Sequence, residues 1–192
     1  MALAIERLRR FTEEEYLTIE RLADYKSEYF DGQIFAMAGG TLEHSRISSN
    51  INRELGNQLK GSGCQAFTSD MRIKVEKTGL NTYPDISVVC GAPRLASDAR
   101  DVLLNPILLV EVLSDSTEKY DRGGKFDHYQ TMESLQEYVL VSQDKPNIER
   151  RLRLADGSWR TDILEGLGAS MRLESVGCEL PLAEVYDQVD FA

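Results

Sequence analysis

The chain has 192 residues, of which 42% are hydrophobic and 28% charged, and its formal net charge is -10. This length is enough for one domain with a sizeable core. The acidic balance argues against non-specific nucleic-acid binding, which depends on Lys and Arg, but it does not exclude a nuclease, because bound metal ions offset local negative charge.

The N-terminal segment, residues 1–17, interrupts its apolar residues with charges every few positions. We therefore expect neither a signal peptide nor a membrane-spanning segment. The three cysteines, Cys64, Cys90 and Cys178, are odd in number and far apart in the sequence, and we expect all three to be reduced and structural. Together these observations predict a cytoplasmic protein without membrane contact.

The first half of the chain contains helix and hairpin signals. Thr12 and Glu15 have the spacing of a capping box, which predicts a helix from this point. Asp31-Gly32 separates two short apolar runs, as in a tight hairpin. A longer amphipathic helix ends at Gly61, and its apolar stripe consists of Ile47, Ile51, Leu55 and Leu59.

The second half contains buried-strand patterns. The segment "CQAFTSDMRIKVE" predicts one or two strands, and "STEKYDRGGKFDHYQTM" predicts a helix with a glycine pair inside it. Asp156-Gly157 predicts a further hairpin. Buried strands are expected in "YPDISVVCG", "ILLVEVLSD" and "EYVLVSQD". This order predicts an α/β fold with one mixed central sheet flanked by helices and with hairpins added at the N- and C-terminal ends.

Two acidic residues stand in apolar strands, since Asp85 opens "YPDISVV" and Glu111 interrupts "LLVEVLS". A β-bulge or a divergence of neighbouring strands would bring both carboxylates to one edge of the sheet. Such oxygen ligands suit a hard cation such as Mg²⁺, and the backbone carbonyl of Val112 would add another. Two other interpretations stay open: Asp85 caps a turn after Pro84, and the buried Glu111 pairs with a Lys or Arg.

Pro84-Asp85 followed by Glu111-Val112-Leu113 resembles the signature of the PD-(D/E)XK nuclease superfamily. Five segments between about residues 11 and 145 resemble, in order, the Uma family of restriction-type endonucleases: "YFDGQIFAMAGGTLEH", "SDMRIKV", "YPDISVV", "LLVEVLSDST" and "YDRGGKFDHYQ". The resemblance implies a restriction-endonuclease-like core over about residues 41–145, within a single domain spanning 1–192.

The resemblance also implies a mechanism, in which Asp85 and Glu111 hold Mg²⁺ (or Mn²⁺) during hydrolysis of DNA phosphodiester bonds. The superfamily places a lysine two residues after the glutamate, where this chain has Leu113. Lys125 of "YDRGGKF" matches the position to which the Uma family has moved that charge, and would position water or stabilise the transition state. From the residues alone, Lys125 could instead pair with Asp121 on the helix surface.

Three further residues are candidates for supporting roles or a second metal ion. Asp70 would lie beside Asp85 on a neighbouring strand. His44 lies on the sheet-facing stripe of the amphipathic helix, where a hydrogen-bonded core histidine is the alternative. Glu28 matches a glutamate of the family's leading hairpin.

The resemblance implies DNA as the substrate and a homodimer, because small nucleases of this fold often work in pairs. A rival interpretation is a catalytically inactive nuclease-fold protein that serves as a binding or assembly module. The acidic net charge, the replacement of the superfamily lysine by Leu113 and the lack of a basic patch in the sequence favour this rival.

Overall fold

The structure is a computed structural model that describes residues 9–97 and 99–191. The expectation about the N-terminal segment therefore falls partly on residues 1–8, which lie outside the described residues. The helices are α1 (Glu13–Glu20), α2 (Leu42–Leu59), α3 (Glu118–Tyr120), α4 (Phe126–Tyr129) and α5 (Leu182–Val185), and a π-helical turn (Asp121–Lys125) joins α3 to α4.

The main sheet has six strands and is antiparallel except for one parallel pair, β8 with β9. From one edge to the other, its strands are β11 (Trp159–Glu165), β10 (Asn147–Arg153), β9 (Glu137–Ser142), β8 (Leu108–Leu113), β6 (Ile86–Cys90) and β3 (Cys64–Thr68).

A second sheet has five strands and contains the N-terminal hairpin. Its strands, in spatial order, are β2 (Gln33–Ala36), β1 (Ser27–Phe30), β5 (Leu80–Thr82), β4 (Arg72–Val75) and β7 (Val102–Leu103). A separate C-terminal hairpin pairs β12 (Ser170–Leu173) with β13 (Cys178–Pro181).

Local sequence signals explain where the first elements begin and turn. Thr12 caps α1, its hydroxyl accepts from the backbone N–H of Glu15, and the Glu15 carboxylate accepts from the Thr12 N–H, so the predicted capping box is present. Asp31 and Gly32 have φ of 46° and 78°, the left-handed backbone that the tight turn between β1 and β2 requires.

The main sheet is covered on both faces, and each face has its own apolar core. On one face, α2, α5 and the C-terminal hairpin pack over the sheet, and the buried stripe of α2 is the predicted Ile47, Ile51, Leu55 and Leu59. On the other face lie the second sheet and α4, and the core includes Leu109, Leu113 and Tyr129. Burial on both faces explains why β8 and β9 have near-continuous apolar sequences.

The fold class predicted from the sequence is confirmed as mixed α/β, with sheets of mixed strand orientation flanked by helices. The strands do not form one central sheet, however. The chain passes from the main sheet to the second sheet between β3 and β4, and returns between β5 and β6. Among the described residues, no helix has the length and apolar character that crossing a bilayer requires.

The prediction that all three cysteines are reduced is wrong for two of them. Cys64 and Cys90 form a disulfide, because the antiparallel pairing of β3 with β6 places these residues directly opposite each other. The distance of 26 residues in sequence gives no hint of this register. Cys178 is free and buried, as predicted.

Candidate active site

Asp85 lies on the connection between the two large sheets. Residues 83–85 link the end of β5, in the second sheet, to the start of β6, in the main sheet. The ladder between β6 and β8 ends at the pair Ile86–Val110, and beyond it the strands diverge. The Asp85 carboxylate enters this opening and accepts a hydrogen bond of 2.7 Å from the backbone N–H of Val112.

Glu111 follows Val110 on β8, so the end of the ladder brings Asp85 and Glu111 to one edge of the main sheet. The sequence indicated a β-bulge or a strand divergence as the two ways to this arrangement. It did not predict that the backbone of Val112 would hold Asp85 through its N–H group.

Lys125 reaches this edge from the π-helical turn, and its side chain is buried. Its Nζ lies 2.9 Å from Glu111 Oε1, 3.3 Å from Glu28 Oε1 and 3.3 Å from Asp121 Oδ1. Burial alone would lower the pKa of Lys125, but the charges of Glu111, Glu28 and Asp121 outweigh burial and hold the pKa well above its usual value. The ammonium group therefore stays charged in a buried site.

Glu111 is 4% exposed and lies among apolar side chains. Burial raises its pKa to about 8, against the opposing charge of Lys125. Tyr129 donates a hydrogen bond of 2.9 Å from its hydroxyl to Glu111 Oε1, the same oxygen that Lys125 approaches. One oxygen of Glu111 is thus fixed by two side chains of the π-helical turn and α4.

His44 points from the first turn of α2 toward the same place. Its Nε2 lies 3.3 Å from Asp85 Oδ2, and this contact with Asp85 is the main cause of its raised pKa. Gly40 packs against the other side of the ring, since a Cβ built there would stand 2.7 Å from His44 Nδ1. The helix and the segment before it therefore fix the imidazole beside Asp85.

Asp85, Glu111, Lys125 and His44 form a cluster. Glu28 also belongs to this cluster, and Asp70 does not. Glu28 lies on β1, contacts Lys125 and accepts a short hydrogen bond from the hydroxyl of Thr82. Asp70 lies in the turn after β3, not on a strand, with a side chain that is 86% exposed and paired with Lys26 at 2.6 Å.

Sequence reasoning missed two members of the cluster, Tyr129 and Asp121. Tyr129 is not singled out from the sequence above, and Asp121 is considered there only as a surface partner of Lys125. The Asp121–Lys125 pair does form, but both residues are buried. The signal was their spacing, because Asp121 and Tyr129 stand four residues before and after Lys125 and thus share its helix face.

Asp85, Glu111 and Lys125 line an open cleft of about 1060 Å³ together with Glu28, His44 and Asp121, just above the roughly 300–1,000 Å³ usual for ligand sites. Its walls come from both large sheets, from α2 and from the helical segment that contains Lys125. The cluster around Lys125 lies within these walls, together with exposed residues from the segment that connects β2 to α2.

The donor set fits a hard divalent cation that keeps water ligands. Asp85 Oδ2 and Glu111 Oε1 are held by protein groups, whereas within the described residues Asp85 Oδ1 and Glu111 Oε2 have no hydrogen-bond donor. Residues 9–97 and 99–191 contain no group of three or more His, Cys, Asp or Glu arranged as a metal site. Two carboxylates suit Mg²⁺, which takes one or two of them plus waters, and not a structural zinc site.

The family described as "Uma2: Putative restriction endonuclease" matches residues 13–183. The chain belongs to this family. Two relatives of this Uma2 chain are uncharacterized proteins of Synechocystis sp.: slr1290 is 40% identical over 95% of this chain and 94% of its own length, and sll1609 is 33% identical over 83% and 90%.

A crystal structure described as a "putative nuclease belonging to DUF820" from Anabaena variabilis has a TM-score of 0.76 with this Uma2 chain. It is 19% identical in sequence and covers 94% of this chain and 99% of its own. At this identity the likeness shows the fold. The resemblance to the Uma family and the restriction-endonuclease-like fold expected from the sequence are thereby confirmed.

Proposed function

We propose that this Uma2 protein is a metal-dependent endonuclease that hydrolyses phosphodiester bonds in DNA. The observation that carries the proposal is the convergence of Asp85, Glu111 and Lys125 in one cleft, with Lys125 Nζ at 2.9 Å from Glu111. A buried lysine in contact with Glu111, in a cleft where Asp85 and Glu111 each keep one oxygen free of protein donors, suits phosphoryl transfer, in which negative charge must be stabilised.

In the proposed mechanism, the free oxygens of Asp85 and Glu111 would hold Mg²⁺ or Mn²⁺. When bound, such an ion polarises a phosphoryl oxygen and makes water a better nucleophile. The charge of Lys125 stabilises the negative charge that develops on the phosphate. His44 and the N–H of Val112 orient Asp85, and Tyr129 orients Glu111, so that the ligands need little rearrangement.

Two accompanying expectations stay predictions. A homodimer would supply one site for each strand of a duplex. A cytoplasmic location no longer has the cysteine pattern in its favour, because Cys64 and Cys90 form a disulfide and disulfides are uncommon in that compartment.

The test compares cleavage of a DNA panel in Mg²⁺ or Mn²⁺ by the wild type and by Asp85→Asn, Glu111→Gln and Lys125→Met. We expect each variant to lose at least about 100-fold in rate, the usual cost of removing a group that stabilises the transition state. Asp70→Asn is the matched acidic control, because Asp70 lies outside the cluster. Unfolding curves verify that each variant is folded at the assay temperature.

Calorimetric titration with Mn²⁺ gives a second, independent measurement. Glu111→Gln should weaken binding of the ion, and Asp70→Asn should not. Equal cleavage by the wild type and Asp85→Asn would refute the proposed roles. Metal binding without cleavage of any DNA would favour the rival, a nuclease-fold protein that binds without cutting.

A further inference from the structure

Two exposed aromatic side chains, Phe35 and Tyr120, line the cleft, and both lie near Glu28. Phe35 is 48% exposed and Tyr120 is 39% exposed. Phe35 pairs with Glu28 across the β1–β2 hairpin, so their side chains share one face of the second sheet. Tyr120 directly precedes Asp121 in the chain, and burial together with the nearby charge of Glu28 raises the pKa of its hydroxyl to about 12.

Both rings are available to a ligand. Among the described residues, neither Phe35 nor Tyr120 stacks on another aromatic ring of the protein. The lack of a side chain at Gly124 leaves room for the Tyr120 ring, because a Cβ at residue 124 would stand 3.1 Å from two of its ring carbons. These rings therefore offer open apolar faces beside the cluster that contains Lys125.

The cleft offers few cations to a nucleic-acid backbone. Its two lysines are both paired: Lys26 binds Asp70 at 2.6 Å and the carbonyl of Ser69 at 2.9 Å, and Lys125 contacts three carboxylates. Binding of a nucleic-acid backbone, single or double, depends largely on Lys or Arg side chains that neutralise phosphates, and the residues lining this cleft do not include such a set.

Helix α2 contributes uncharged donors to its own wall of the cleft instead. Four short polar side chains, spaced by three or four residues along one face of the helix, line the cleft: Ser45, Ser48, Ser49 and Asn52. Hydroxyl and amide groups of this kind donate hydrogen bonds to phosphate and sugar oxygens. They can therefore contact successive units of a nucleic-acid backbone through hydrogen bonds, without positive charge.

We propose that the cleft binds an unpaired DNA strand, with bases stacked on Phe35 and Tyr120 and the backbone along the polar face of α2. Stacking on aromatic rings binds single strands of any sequence, because every base has a flat face. In a duplex these faces are covered by neighbouring bases and are not accessible to the two rings. This inference rests on the proposed function, since the bound strand would carry the phosphate that is cleaved.

The experiment measures fluorescence anisotropy of a labelled oligothymidylate and of a blunt duplex of the same length, with Ca²⁺ in place of Mg²⁺ to hold cleavage back. We expect tighter binding of the single strand. Phe35→Leu and Tyr120→Leu should each weaken it by roughly 5- to 150-fold, the range for loss of one stacked base. Phe35→Trp and Tyr120→Phe keep an aromatic face and should bind like the wild type.

Ile163→Ala is the control for loss of an exposed apolar side chain, because Ile163 is 57% exposed on β11 and does not line the cleft. It should leave binding unchanged. Equal or tighter binding of the duplex, or leucine variants that bind like the wild type, would overturn the inference.

The binding assay separates this inference from the proposed function. Cleavage that requires Asp85 and Glu111, combined with unchanged binding by the leucine variants, leaves the nuclease proposal intact and removes the stacking surface. Binding of the single strand through Phe35 and Tyr120 without cleavage of any DNA would support the stacking surface and contradict the nuclease proposal.

Discussion

Glu111 occupies a position where the alternation of β8 calls for a hydrocarbon side chain. Leu109 and Leu113, its neighbours on the same face of the strand, both belong to the core beneath the second sheet. A carboxylate in that place is unfavourable unless charge and hydrogen bonds compensate for lost hydration, and Lys125 and Tyr129 provide both. The burial that makes Glu111 conspicuous in the sequence therefore also dictates its partners.

A single methyl group at residue 40 tests how closely the imidazole must be placed. In Gly40→Ala, the new Cβ would stand 2.7 Å from His44 Nδ1, so the ring must move and its contact with Asp85 weakens. We expect DNA cleavage to fall by roughly 10- to 100-fold, the scale of a misplaced active-site group, while the melting temperature stays near that of the wild type.

Gly39→Ala is the control for this substitution, because a Cβ at residue 39 meets nothing within 4 Å. It makes the same chemical change one residue earlier and should keep wild-type activity. Full activity in Gly40→Ala would show that the position of His44 is unimportant.

At the scale of single elements, the pairing of β3 with β6 carries a consequence that can be measured chemically. The disulfide joins residues 26 positions apart, and closing a loop of this length restricts the unfolded chain and stabilises the fold by about 3 kcal/mol. We expect reductant to lower the unfolding free energy of the wild type by about this amount and to leave Cys64→Ser unchanged. Thiol titration of the denatured, unreduced protein should find one free cysteine, Cys178; finding three would contradict the disulfide.

The elements could be predicted from the sequence to the extent that their signals are local. The capping box at Thr12, the Asp31-Gly32 turn and the apolar stripe of α2 each lie within a few residues of one another, and each is present. The register of β3 against β6 depends on residues far apart in the chain, and so the disulfide was missed. The sequence predicts one helix through this segment, and no local pattern in it distinguishes the π-helical turn from an α-helix.

The residues of the candidate site likewise divide into those that a sequence signal indicates and those that only the folded chain brings together. Asp85 and Glu111 stood out because acids in buried strands need partners, and the likeness to the Uma family pointed to Lys125. Asp70 was placed on a strand because its segment alternates, whereas the chain turns there to change sheets. Whether each grouped residue acts in catalysis stays a prediction, as does the single-domain boundary at 1–192.

At the scale of the whole molecule, a buried network attaches the C-terminal hairpin to the main sheet. Glu137, fully buried at the start of β9, accepts hydrogen bonds from the backbone N–H groups of Glu174 and Ser175, which lie between β12 and β13, and faces Arg150 at 3.5 Å. Because α5 follows β13 and packs against α2, this attachment supports the helix that carries His44.

Removal of this acid should therefore destabilise the fold. We expect Glu137→Ala to lower the unfolding free energy by at least about 2 kcal/mol, because the backbone N–H groups of Glu174 and Ser175 lose their acceptor, whereas Arg150 keeps its ion pair with Asp162. Arg172→Ala, which breaks the exposed pair with Glu179 on the same hairpin, should change it by less than about 1 kcal/mol. Denaturant titration measures both, and similar values for the two variants would contradict a structural role for Glu137.

The connection between the second sheet and the main sheet at residues 83–85 is very short. Three residues span at most about 10 Å even when fully extended, so the two layers stay tethered together at Asp85. Residues 69–71, between β3 and β4, make a second link of the same length between the two sheets. The acid that opens β6 thus stands where the chain itself fixes the spacing of the two layers that wall the cleft.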